Sequence, residues 1–135
     1  MRFKLGIGLV VICAVALGLP AWSHHSHGNY ITETFIDLQG VVKEVHFVVP
    51  HSWVYLEIKD PKSGEAQVWA LEATGRAGLE KIGVSREYIK AGDTVKARCH
   101  RLRDGSNGCL LGFLKAKDGT VKDWDGNNAT LPTDF

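Results

Sequence analysis

Along most of the chain the apolar residues recur at every second position, the period of a half-buried strand rather than of a helix. The stretch LQGVVKEVHFVVPHSWVYLEI, residues 38–58, holds two such strands. Val45, Phe47 and Val49 share one face of the first, and Val54, Leu56 and Ile58 share one face of the second. Pro50 stands between them and cannot donate to a ladder, so it marks a bend. DPKSG, residues 60–64, is a turn, and EAQVWALE, residues 65–72, reads as a third strand. From Ala73 to Lys90 the pattern changes: Leu79 and Ile82 stand at helical spacing, Ser85 can cap a following turn, and the glycines keep any helix short. After the turn KAGD, the segments TVKARCHRL and GCLLGFLKA read as two more strands joined by RDGSNG, which is rich in hairpin residues. Val45, Phe47, Leu56, Ile58, Val68, Leu110 and Leu111 are the expected strand core, with a bulge able to exchange the last two. The order of three strands, one short helix and two strands is that of an OB-like five-stranded small barrel, mainly β. It is expected over residues 35–122, with residues 123–135 as a surface tail because they carry few periodic apolar positions.

Residues 1–23 read as an export signal, with Arg2 and Lys4 at the basic end and Ala21, Trp22 and Ser23 forming a small-x-small cleavage site. The apolar run from Leu5 to Leu19 is 15 residues, short of the ~20 that span a bilayer. No membrane anchor is therefore expected after cleavage. Cys13 lies inside that run without a small residue before it, which excludes lipidation. Cleavage after Ser23 would make His24 the first residue and place the protein in the periplasm or outside the cell. Removing 23 of the 135 residues leaves 112, enough for one compact domain with a core. The remaining 14 basic and 15 acidic residues give no electrostatic attraction to nucleic acid. Cys99 and Cys109 also remain, an even pair in an oxidising compartment, and are expected to form a disulfide.

Candidate chemistry concentrates in residues 24–34, which open on HHSH. A chain-terminal His24 would offer its amine and one ring nitrogen, and a second imidazole would complete a planar set of three nitrogens, which favours Cu(II). His51, beside Pro50 and close to Trp53, is the expected third donor, with His25 and His27 as alternatives. The plain alternative is a polar tether that binds metal only opportunistically. His46 and His100 alternate with apolar neighbours and read as solvated strand positions. Trp53, Tyr55 and Trp69 could form a stacking face, although aromatic residues on strands also serve as core. Glu57 and Glu72 could be imagined as a pair of hydrolytic carboxylates, but no nucleophile elbow or phosphate loop accompanies them.

Three functions stay open: an exported non-enzymatic protein binding copper, an adaptor for another envelope protein, and a copper-dependent oxidase.

HHS behind a leader, GVVKEV followed by PHSW, then WALE, AGD and DGSNG with LLG resemble a family of small exported bacterial proteins known only as domain of unknown function 6152. The resemblance covers almost the whole chain after the leader. It implies an exported single β-rich domain and carries no established activity. Members usually have Asn before PHSW, where this chain has Val49.

Overall fold

The computed structural model describes residues 26–135, so the leader, His24 and His25 lie outside the described residues. A short 3-10 turn, Ser26–Asn29, precedes six strands: β1 (Ile36–His46), β2 (His51–Lys59), β3 (Ala66–Thr74), β4 (Thr94–Arg101), β5 (Gly108–Lys115) and β6 (Val121–Asp123). One helix, α1 (Arg76–Lys81), lies between β3 and β4. The strand order is β3-β2-β1-β4-β5-β6, and a parallel pairing of β3 with β5 closes the first five strands into a barrel. Every other neighbouring pair is antiparallel. This is the expected OB-like barrel with its helix in the expected place; β6, three residues long, is an addition that the apolar pattern does not announce.

The inner face carries Val42, Val54, Leu56, Trp69, Leu71, Val95, Ala97, Leu111 and Leu114, with Phe47, Leu79 and Trp124 packed into the same core. Two bulges set which residues point inward. In β1 the register passes from Val42 opposite Leu56 to Glu44 opposite Tyr55, so Lys43 is extra and the inward parity shifts by one residue. In β5 Gly112 is extra, because Cys99 faces Leu111 while Arg98 faces Phe113. Leu111 is therefore inside, whereas Leu110 is covered on the outer face of the sheet opposite Glu72.

Three expectations are corrected. Val68, placed in the core by period two, is 53% exposed, because it lies on the opposite side of β3 from Trp69 and Leu71. Val49 does not share a face with Phe47; it is 65% exposed in the turn after β1 has ended at His46. Trp124, in the segment read as surface, is 1% exposed, since β6 pairs with β5 and delivers the indole into the core.

Cys99 and Cys109 are bonded between β4 and β5, with their Cα atoms 5.7 Å apart. Gly75, the residue before α1, is required by proximity: a Cβ there would collide with the Pro50 carbonyl oxygen, a backbone atom that cannot swing aside.

The unreduced chain from His24 onward should show no free thiol, and reduction should lower its stability by about 2–3 kcal/mol, the closure entropy of a loop of this length. Phe47→Ala should cost about 3–5 kcal/mol by denaturant unfolding, as a fully covered aromatic does. Gly75→Ala should cost about 1–3 kcal/mol in the same measurement, through overpacking against Pro50.

Candidate functional site

The residues that can carry chemistry meet on the outside of the barrel, over the seam where β3 and β5 pair. Pro50 turns the chain into β2 and sets His51 at its first position, opposite Thr74 at the end of β3. Outward positions of β2 are His51, Trp53, Tyr55 and Glu57, because the intervening Ser52, Val54 and Leu56 are buried inside. Glu72 stands opposite Trp53 and so belongs to the outer face as well, yet it is only 7% exposed.

Glu72 is covered by the chain that precedes the barrel. The Ile31 amide donates to the Arg101 carbonyl at 2.9 Å, the Arg103 amide donates to the Asn29 carbonyl at 2.9 Å, and Tyr30 forms a β-bridge with Leu102. These contacts dock residues 28–31 along the end of β4. Buried Tyr30 then donates its hydroxyl to Glu72 Oε2 at 2.5 Å. The second oxygen, Oε1, lies 2.6 Å from His51 Nδ1. Burial, followed by the hydrogen bond to Glu72 and its charge, pushes the Tyr30 phenol far above the usual tyrosine range, so it remains a donor.

The His51 side chain is 34% exposed and faces a cavity of about 270 Å³ that His27, Asp125 and Asn127 also line. Thus three segments distant in sequence converge: the docked histidine-rich segment, the start of β2 and the stretch after β6. Asn127 donates to Asp125 Oδ2. Burial, and then the nearby charge of Asp123, raise the Asp125 carboxyl above its ordinary pKa, partly offset by His27 and His100. Among the described residues, no three or more His, Cys, Asp or Glu side chains are arranged to hold a metal ion.

The other candidates are placed as follows. Trp53 and Tyr55 lie on the outer face of β2, but Trp69 points into the core with Arg101 over its ring at 5.5 Å, so the three aromatics do not form one platform. His46 contacts Glu44 at 2.6 Å and the edge of Tyr55 on an open strand face. His100 is not free surface: its Nδ1 donates to the Thr34 carbonyl at 2.8 Å and its ring stacks on Phe35 at 4.0 Å. Glu57 pairs with Lys43 at 3.2 Å and lies four register positions from the residue opposite Glu72. At the rise of a strand that is roughly 13 Å, beyond the separation that glycoside hydrolysis uses.

Sequence reasoning missed Tyr30, Asp125 and Asn127, none of which sits in a motif. Glu72 did leave a trace, as the single charge in the otherwise apolar run VWALEA.

The chain matches the family of unknown function DUF6152 over residues 11–111. It belongs to that family. The matched span contains Tyr30, His51 and Glu72 but ends before Asp125 and Asn127, which are therefore supplied from outside it. No curated protein matches the chain. A solved structure similar to it is that of a mitochondrial single-stranded DNA binding protein from S. cerevisiae, with a TM-score of 0.48 and 8% identity over 62% of this chain and 93% of that one. The barrel is assigned from the strand order and the β3–β5 closure, not from this likeness. Among the described residues no helix is long and apolar enough to cross a membrane.

Because the Asp125 pKa is raised on folding, the folded chain holds that proton more tightly than the unfolded chain. Its contribution is favourable at low pH and is lost as the pH rises through the folded-state value. Asp125→Asn should therefore raise the melting temperature at about pH 7 and leave it unchanged near pH 3, when both are compared with the unaltered chain by calorimetry.

Proposed function

We propose that this protein is exported and binds Cu(II) without catalysing a reaction, using His51 together with the histidine segment that cleavage after Ser23 would expose. The observation that carries this reading is the meeting of His27 and His51 at one cavity, with the His51 ring already held by buried Glu72. Asn29, Tyr30 and Ile31 are held against the end of β4 by backbone contacts, and His27, just before them, lines the cavity beside His51. His24 lies three positions before His27, a reach of about 10 Å in extended chain. A terminal His24 could then bring its amine and ring to the same place. His27 and, one residue from the terminus, His25 are the alternative donors, and neither offers the amine chelate.

A second reading, an adaptor for another envelope protein, draws support from Val48 and Val49, two adjacent apolar side chains exposed in the turn before Pro50. Such binding would be insensitive to chelators.

Three proteins separate the two: the chain beginning at His24, the same chain with one residue added ahead of it, and the chain beginning at His24 with His51→Ala. The free amine has a reference pKa near ~7.7–8, so copper can displace its proton close to neutral pH. Calorimetric titration should give the tightest Cu(II) binding for the first, with clear losses for the other two. Equal affinities would reduce the segment to a tether and favour the adaptor.

A further inference from the structure

An outward-facing glutamate on a strand ordinarily stands in water. Glu72 does not: it is closed over by the docked segment, and each of its oxygens is engaged by a different side chain, Tyr30 at Oε2 and His51 at Oε1. Burying a carboxylate is costly unless its lone pairs are used. The fold could have placed an apolar residue here, opposite Trp53 and Leu110, at no such cost. A latch for the N-terminal segment would need only the Tyr30 contact. The second contact, to His51, has a different consequence. An ionised carboxylate offers only lone pairs, so His51 Nδ1 must carry a hydrogen towards it, and the free lone pair of the neutral ring is left on Nε2.

We propose that Glu72 is a positioning residue, holding His51 in the tautomer whose Nε2 receives the metal, and that Tyr30 makes this orientation depend on the docking of the N-terminal segment. The inference rests on the reading of His51 as a copper ligand, but its first test needs no copper. Carboxylate partners of this kind orient ligand imidazoles and raise their basicity, and losing them typically lowers metal affinity about 10- to 100-fold. Here the carboxylate answers in turn to Tyr30, three residues after His27, so a segment that brings histidine to the cavity also fixes the imidazole already there.

The experiment uses the chain beginning at His24 with its histidines labelled with ¹⁵N. In the metal-free protein at alkaline pH, NMR should show His51 protonated on Nδ1. Glu72→Gln keeps an acceptor for Tyr30 but turns an amide N–H towards Nδ1, and should shift His51 to the Nε2–H form. Cu(II) titration of that variant should show a loss of about 10- to 100-fold. Tyr30→Phe, which keeps the buried ring and removes only the hydroxyl, should lose affinity in the same direction, though it touches no metal. The tautomer decides whether Glu72 orients the ring, and the copper titration decides whether that orientation serves the metal. Nε2–H as the major form of the unaltered protein would overturn the proposal outright. The expected tautomers with equal copper affinities in all three proteins would overturn the link to the metal. Absence of copper binding in the unaltered chain would instead overturn the copper reading, and the tautomers would still decide what Glu72 does. Should Glu72→Gln fail to fold, the unaltered tautomer and Tyr30→Phe carry the test.

Discussion

Glu72 is held between a phenol and an imidazole on a face of the barrel that would otherwise meet solvent, and much of the architecture around it follows from that arrangement. A carboxylate can be buried there only if donors reach both of its oxygens. Tyr30 arrives because residues 28–31 are hydrogen-bonded along the end of β4, and His51 arrives because Pro50 starts β2 opposite the end of β3. The closure of β3 on β5 brings Leu110 beneath the same spot. The barrel thus supplies a rigid floor, and the segments on either side of it supply the walls.

That division explains how far the fold was readable from the chain. Alternation in β2 is unbroken, so Val54, Leu56 and the outward His51, Trp53 and Tyr55 follow directly from period two. The succession of strands along the chain was readable for the same reason, and the single short helix from the change of spacing at Leu79 and Ile82. Period two fails at a bulge, because one extra residue reverses the faces of all that follow. Lys43 does this in β1, which is why Val42 belongs to the core although a pattern counted from Val45 excludes it. Trp124 was missed for a different reason: β6 is too short to show a period, and its burial depends on pairing with β5.

The site was legible only in part. His51 stood out because histidine beside proline at a strand end is a restricted position, and the cysteine pair stood out from its number and compartment. Tyr30 and Asp125 could not be found: Tyr30 acts through a contact 42 residues away, and Asp125 reaches the cavity only once the chain after β6 is folded back beside His51. Glu72 lies between these cases. A charge inside VWALEA conflicts with a buried strand, and such a conflict between local pattern and global fold is where function is expected to sit. The partner that resolves the conflict could be named only after the barrel had closed.

In the proposed site, copper would be held by His51 Nε2 together with the amine and ring of a terminal His24, on a face kept in order by Tyr30 and Glu72. A crystal structure of the copper-loaded chain beginning at His24 tests it most directly. It should show the metal bonded to those three nitrogens with the Tyr30–Glu72 contact intact. Copper bound elsewhere, with His51 Nε2 open to solvent, would contradict it.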